Sequence, residues 1–373
     1  MVKQRKKVLF TSHVANFQKF NRPFMRMLSA QGYEVHYASM GEEEILDCDK
    51  SFVVPFTRSP FGLSNIAAYK QLKEIIDREH YDIIHTHTPM GGVVTRLAAR
   101  AARKKGTRVI YTAHGFHFFK GAPILNWLIY YPVERYMARH TDTLITINKE
   151  DYERAKAQFK TNVQYVPGVG IDPKKFDIRL SKKQRKDLRA EFGISENDFV
   201  MIYVAELSKR KNQLWLIKSL RGFLAEHSDA HLLLPGADSL NGAAHELAKR
   251  LNLQQQIHLP GYRSDIPHLM KASDIAVSAS RQEGLPVNIM EAMYLGLPVI
   301  ATDCRGNRDV VTHQLSGVLI SHKDGDSLID SLLTMHKNRW HLDKFSKVAK
   351  RSSREYVMGN ILPMMKKLYC HAR

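Results

Sequence analysis

Glu283 and Glu291 lie in a segment whose neighbours give two carboxylates something to hold. The stretch from Ser278 to Thr302 reads as a strand ending at Ser278, a loop carrying Glu283 and Gly284, and a helix opening at Pro286. Proline is favoured at a first helical position, where its missing N–H has no partner to lose. The unpaired N–H groups of such a helix carry partial positive charge and make a seat for a diphosphate. Glu291, further along the helix, is a carboxylate able to accept two hydrogen bonds from a ribose diol. Glu283, at the mouth, can bind hydroxyls of a sugar attached to that diphosphate. Two solvated charges at a helix end are the alternative, but the strand, loop, glycine and proline argue against it.

The first half carries a different set. His85, His87, His114 and His117 fall where strands are expected to end, and His85 and His87 share one strand face. A zinc site is one reading, though the usual spacing with cysteine or carboxylate ligands is missing. His114 is the candidate for a reaction centre; a packed, hydrogen-bonded histidine is the alternative. Asp47-Cys48-Asp49 and Asp324-Gly325-Asp326 look like Mg²⁺-binding acid pairs, but both sit in turn-rich segments and read as solvated loops.

These residues need a scaffold, and the chain alternates β-branched runs with amphipathic stretches. Strands are expected at 8–11, 34–38, 82–85, 108–112, 143–147 and 163–166. Helices are expected at 17–30, 64–79, 92–105, 123–139 and 150–159, the first stopped by Gly32 and the third by Gly106. The rhythm implies a mostly parallel sheet with helices on both faces. It breaks at Pro167-Gly168-Val169-Gly170-Ile171-Asp172-Pro173, followed by the basic run Lys174–Arg189, which reads as a solvated helix face. A second block then has strands at 199–205, 231–234, 256–259, 274–278 and 298–301. Its helices are expected at 213–226, 240–251, 266–271 and 286–295, with further helices over 325–373 broken near Ser352-Ser353. Two domains are predicted, 1–176 and 177–373, and open sheets of this kind bind ligands beyond the carboxyl ends of their strands.

The composition narrows the partners. The 373 residues suit two domains. No run of 18 apolar residues suggests a transmembrane helix, and Val8–Thr11 is too short for a signal-peptide core. Three scattered cysteines suit a reducing compartment. The net charge of +19 is spread over both halves and fits nucleic acid, an anionic membrane or phosphorylated small molecules.

The segment holding Glu283 and Glu291 resembles the Glu-x7-Glu signature of retaining glycosyltransferases of family 4, and the resemblance covers nearly the whole chain. Val166–Asp172 with Phe176 resembles that family's interdomain link, Tyr203–Gln213 its phosphate-binding loop, and His258–Ile266 its base-binding loop. His85-Thr86-His87-Thr88 and Thr112-Ala113-His114-Gly115 match its strand-end pattern. The implied fold is α/β of the GT-B type, two Rossmann-like domains facing each other across a cleft. The last helix, about 355–373, would cross back to the N-terminal domain. The implied activity is transfer of a hexose or N-acetylhexosamine from a nucleotide sugar, taken as UDP-linked, to a lipid-linked saccharide in bacterial surface polysaccharide synthesis. The implied donor residues are Arg210 and Lys211 for the diphosphate, the backbone near Arg263 for the base, Glu291 for the ribose, and Glu283 with Gly284 and Leu285 for the hexose. His114 would stand beside the reacting sugar, with His13, Asn16 and His87 on the acceptor side. No metal or other cofactor is implied. The chain departs from the family at Glu206, where many members have a phosphate-binding arginine that Lys209 or Arg210 would replace. It departs again at Ser12–Asn16, where many have a Gly-Gly turn.

The aromatic segment Phe116–Tyr131, with Lys120, Arg135 and Arg139 nearby, has two readings: a buried core helix, or a surface dipping into a membrane interface with Trp and Tyr at headgroup depth. The second would place the protein at the cytoplasmic face of a membrane, its basic first domain against anionic lipid. Two rival functions stay open at the level of sequence. A non-catalytic nucleic-acid or anionic-surface binder is motivated by charge but lacks a recognised motif. A sugar-nucleotide epimerase would keep the fold and change the chemistry.

Overall fold

A computed structural model describes residues 5–60 and 62–370, with the side chains of 339–341 left aside. The first four residues of the basic start and the last three of the expected C-terminal helix lie outside the described residues. The chain forms two compact units. One runs to Gly170 and resumes at Gly359; the other is Ile171–Met358.

Among the described residues the first unit has seven strands: β1 (Lys7–Thr11), β2 (Glu34–Ser39), β3 (Lys50–Val53), β4 (Ile83–His87), β5 (Arg108–Ala113), β6 (Thr143–Thr146) and β7 (Asn162–Tyr165). Its helices are α1 (Gln18–Ala30), α2 (Ser64–Glu79), α3 (Pro89–Ala98), α4 (Arg100–Lys104), α5 (Ile124–Met137) and α6 (Lys149–Gln158). The second unit contains α7 (Pro173–Phe176), α8 (Lys182–Ala190), β8 (Phe199–Ile202), α9 (Gln213–Ser219), α10 (Arg221–Glu226), β9 (Ala230–Leu233), α11 (Ala243–Arg250) and β10 (Ile257–His258). It continues with α12 (Ile266–Ala272), β11 (Ile275–Ser278), α13 (Val287–Tyr294), β12 (Val299–Thr302), α14 (Asn307–Val310), β13 (Gly317–Ile320), α15 (Gly325–Lys337) and α16 (Arg339–Ser353). Finally α17 (Met358–Cys370) rejoins the first unit.

Both sheets are wholly parallel. Their orders are β3-β2-β1-β4-β5-β6-β7 and β10-β9-β8-β11-β12-β13. In each, the order reverses beside the first strand of the unit, between β1 and β4 and between β8 and β11. Such reversals leave a crevice at the strands' carboxyl ends. Continuous apolar runs suit strands covered on both faces. Val8 and Phe10 of β1 join a core with α1 and α17, while Leu9 joins another with α2 and α3. The second unit's main core gathers β8, β9 and β11 with α9, α11 and α15.

The expected helix stops hold. Gly32 and Gly106 have φ of +84° and +113°, which glycine adopts without strain. Two strands were not expected, β3 and β13. β3 is a four-residue edge strand with mostly exposed side chains, so it carries little burial pattern. The sequence places β4 at 82–85, but it runs to His87, which puts that imidazole inside the sheet layer. The sequence also divides the domains at 176/177, whereas the contacts divide them at 170/171. The Ile171 N–H donates to the Tyr356 carbonyl and the Ile171 carbonyl accepts from the Met358 N–H, tying the two ends of the second unit together.

The crossing C-terminal helix is present. Ile361, Met365 and Tyr369 of α17 are buried in the β1 core, and the Tyr369 hydroxyl lies 2.6 Å from His85 Nδ1. No described helix is long and apolar enough to cross a membrane.

Candidate active site

In the second unit the residues at the β8/β11 reversal close around Glu283. The loop after β11 carries it, and the residue is 6% exposed. Oε1 accepts from Lys211 Nζ at 2.5 Å and from Ser280 Oγ at 2.6 Å, and Oε2 accepts from Arg210 Nη1 at 3.2 Å. Lys211 and Arg210 come from the loop after β8, so the pair bridges the two strands at the reversal. The Tyr203 hydroxyl stands 2.7 Å from Ser280 Oγ and 3.0 Å from the Lys211 carbonyl, bracing both loops. Burial pushes the Tyr203 phenol upward, the charge of Glu283 adding to it, so it stays neutral. Removing Lys211 from such a buried pair would leave Glu283 with less compensation, a change that costs several kcal/mol where pairs are fully buried, about 3–5.

The backbone here leaves little freedom. Asn212, between the Lys211 loop and α9, has φ +62°. From the next loop, Arg305 Nε donates to the Glu283 carbonyl at 3.1 Å. A Cβ on Gly306 would come within 2.9 Å of the Gly284 carbonyl, so only glycine lets the two loops approach this closely. Pro286 caps α13 instead of filling its first turn, and helical structure begins at Val287. The Asn288 side chain donates to the Val204 carbonyl, fixing the start of α13 beside β8.

Glu291 is part-buried in the middle of α13 and is not bonded to the Glu283 cluster. Burial raises its carboxyl to about 7, with the Lys175 ammonium acting in the other direction. Arg263 donates twice to Asp265 and once to Glu191, so its guanidinium is engaged by carboxylates and its pKa rises further. Glu206 accepts from Ser239, and Lys209 is exposed. Sequence reasoning missed Ser280, Tyr203 and Arg305. A detectable signal existed for Arg305, which with Gly306 follows the end of β12 as Glu283 and Gly284 follow β11.

The β1/β4 reversal of the first unit is built from neutral rings. His85 is fully buried, its nitrogens facing Tyr369 and Thr112 at 2.6 and 2.7 Å, so neither is free to take a metal. His87 Nδ1 lies 3.1 Å from His114 Nε2. Phe17 packs edge-on against His114 at 4.8 Å. Burial is the chief cause that lowers all three imidazoles, His85 to about 3 and His114 to about 4. They are neutral at physiological pH. His13 accepts from Arg58 at 2.9 Å, and Asn16 is exposed in the turn after β1. Thr88 has φ +65°, an uncommon conformation for a β-branched residue, and its Oγ1 accepts from the His13 N–H. Beside this loop lies a cavity of about 330 Å³, walled in part by Met90 and Val93 of α3 and Ile129 and Val133 of α5.

The two acid pairs have structural duties. Asp47 binds Arg22 and Arg26, and Asp324 caps α15 through the Ser327 N–H, so neither is merely a solvated loop.

Residues 184–352 match the family model described as glycosyl transferases group 1, and residues 7–148 match glycosyl transferase 4-like. The Bacillus subtilis (strain 168) protein EpsD, named as a glycosyltransferase, is 42% identical over 86% of this chain and 84% of its own length. An Escherichia coli enzyme named UDP-Gal:alpha-D-GlcNAc-diphosphoundecaprenol alpha-1,3-galactosyltransferase is 30% identical over 77% of this chain and 75% of its own. Among solved structures, Anabaena HepE in complex with UDP and glucose aligns with a TM-score of 0.78 at 21% identity, covering 98% of this chain and 99% of that one. WaaG, a glycosyltransferase involved in lipopolysaccharide biosynthesis, aligns with a TM-score of 0.76 at 17% identity over 97% and 99%.

Proposed function

This chain belongs to the group 1, family 4 glycosyltransferases of GT-B fold, and from that premise we propose that it moves a hexose or N-acetylhexosamine from a UDP-sugar to a lipid-linked saccharide. Membership makes it an enzyme of glycosyl transfer and sets aside the rival of a non-catalytic binder. The lipid-linked acceptor and a role in bacterial surface polysaccharide synthesis are carried over from the relatives.

The observation that carries the reading is the Lys211–Glu283–Arg210 cluster at the strand reversal of the second sheet. Breaking the bond from sugar C1 to the diphosphate oxygen leaves negative charge on the phosphate and positive character on the ring. Lys211 and Arg210, with the N–H groups opening α13, would stabilise the leaving diphosphate. Glu283, held by Lys211 and Ser280, would orient the sugar hydroxyls, and Glu291 would take the ribose. In the first unit, neutral His114 would lie beside the sugar and offer a ring nitrogen as a hydrogen-bond partner. Glu283 is held by two cations and is not poised as a nucleophile. Attack from the face the diphosphate leaves, with retention, therefore fits better than double displacement.

The test is a donor screen, UDP- and GDP-sugars against a polyprenyl-diphosphate-linked saccharide, read by mass spectrometry. A product one sugar heavier, formed from a UDP donor and lost in Glu283→Ala with folding intact, is expected. Isomerised donor with no acceptor product would favour the epimerase instead.

A further inference from the structure

The second unit carries a cluster of side chains that glycosyl transfer does not use. One nitrogen each of His227 and His336 and a carboxylate oxygen of Asp229 lie within 4.8 Å of one another. His227 caps the end of α10, Asp229 stands in the short turn before β9, and His336 lies in the last turn of α15. That turn feeds the amino end of β9 in a parallel sheet, so the cluster sits at the opposite end of the sheet from Glu283. No spacing announces it, since 107 positions separate Asp229 from His336.

The surroundings fix the three residues. His336 packs edge-on against Phe199 at 5.2 Å and Phe223 at 5.8 Å, Phe223 meets His227 at 4.7 Å, and the two imidazoles lie 4.7 Å apart. The His227 N–H donates to the Phe223 carbonyl, and the His227 carbonyl accepts from the Gln256 side chain. The Asp229 carbonyl accepts from the Phe199 N–H. The Asp229 side chain is 52% exposed, which opens the cluster to water on one side.

A hydrogen bond accounts for part of this arrangement. His336 Nε2 lies 3.0 Å from Asp229 Oδ2, and a histidine in a last helical turn suits the helix dipole. His227 is left over. Its Nε2 is buried without a hydrogen-bond partner, where buried polar atoms are normally satisfied. Glu34, His36 and Glu79 of the first unit show the contrast. There both ring nitrogens of His36 are taken, by Tyr81 and Glu34 at 2.8 Å each, and Lys7 and Lys50 answer Glu79.

We propose that His227, Asp229 and His336 bind a divalent transition ion of the zinc class, with water completing its coordination. Two imidazoles and a carboxylate are ligands that such an ion favours, whereas Mg²⁺ prefers oxygen and keeps its waters. Zinc bonds of about 2.0–2.2 Å put tetrahedral ligand atoms roughly 3.3 Å apart, so small side-chain rotations complete the site. The ion ties the end of α15 to the entry of β9 and stabilises the second unit. It takes no part in the transfer reaction.

The full chain, stripped with a chelator and dialysed, is titrated with ZnCl₂ by calorimetry and followed by thermal unfolding. Wild type should take up about one equivalent and unfold several degrees higher with zinc, and equimolar MgCl₂ should do neither. Asp229→Asn, at an exposed position, and His336→Ala should each weaken zinc binding at least about tenfold, the scale of losing even an outer partner of a metal site, with an unchanged circular dichroism spectrum. Cobalt(II) in place of zinc supplies a readout that lost packing alone would not move: visible bands of a bound ion in wild type, absent from both variants. His245→Ala, exposed on α11, and Cys370→Ser should bind as wild type. A wild-type chain that takes up no zinc overturns the inference, as does wild-type affinity in Asp229→Asn and His336→Ala. Loss of binding in the His245 or Cys370 variant would overturn it too, assigning the zinc to another surface.

Discussion

The two strand reversals share a topology and differ in chemistry. Each lies at the carboxyl ends of a parallel sheet, and each has a non-glycine residue with positive φ in an adjoining loop, Thr88 in one and Asn212 in the other. At β8/β11 the loops deliver two cations to a buried carboxylate. At β1/β4 they deliver imidazoles held neutral by burial. The same scaffold thus makes an ionised site and an uncharged one. Under the proposed function the ionised site would stabilise the leaving diphosphate, and a neutral imidazole would add no charge opposing the positive character of the sugar ring.

The largest effect should come from the ionised site. Lys211→Ala and Glu283→Ala should each lower transfer by about 10²–10³-fold, the scale of losing one fixed electrostatic partner of a transition state. His114→Ala, on the neutral side, should cost about tenfold, as for a positioning contact, and the wild-type rate should show no His114 titration from pH 5 to 8, because burial lowers that imidazole to about 4. Product formation at saturating donor, with circular dichroism as the folding control, measures all three. Equal losses at Lys211 and His114 would break the contrast.

The next effect is on stability, and its sign differs between the regions. Glu291 titrates near 7 when folded and near 4.5 otherwise, so the folded state binds the extra proton between those values. Its contribution therefore falls as pH rises from 4.5 to 7. Glu291→Gln should raise stability at pH 8 by up to about 3 kcal/mol and leave it nearly unchanged at pH 4, read as Tm against pH. The buried histidines act oppositely. With folded values below 6.5, they withhold a proton that the unfolded chain binds, so stability is lost as pH falls below 6.5. His87→Phe should flatten that acid limb. Parallel Tm–pH curves for wild type and either variant would deny the assigned burial.

The smallest effect tests the C-terminal helix. Tyr369→Phe leaves His85 Nδ1 without its partner and should cost about 1 kcal/mol. It should lower Tm by a few degrees and leave UDP-induced stabilisation unaltered, because Tyr369 braces the neutral region only.

Much of this was legible in the residues. The parallel architecture followed from alternating apolar runs and amphipathic stretches, because burial on both faces leaves a strand few polar positions. Gly32 and Gly106 marked helix ends through their backbone freedom. Edge strand β3 escaped notice because exposed side chains carry no pattern. Gly92–Lys105 and Gln213–Glu226 read as single helices, yet each breaks, at Ala99 and at Leu220, where periodicity alone shows no interruption.

The sequence alone determined most of the local pieces: the covered strands of both sheets, where Glu283, Gly284 and Pro286 stand between β11 and α13, and that α5 is largely apolar. Tertiary structure decided which pieces meet. Lys211 reaches Glu283 across 72 positions and Tyr369 reaches His85 across 284, distances over which no local periodicity carries information. It also decided which side of α5 is covered: Trp127 and Tyr131 turn inward onto Phe118, and Glu134 pairs with the buried Arg96. Hydrophobicity says that a face prefers to leave water, and only the packing of distant residues such as Phe118 and Arg96 settles which face has done so.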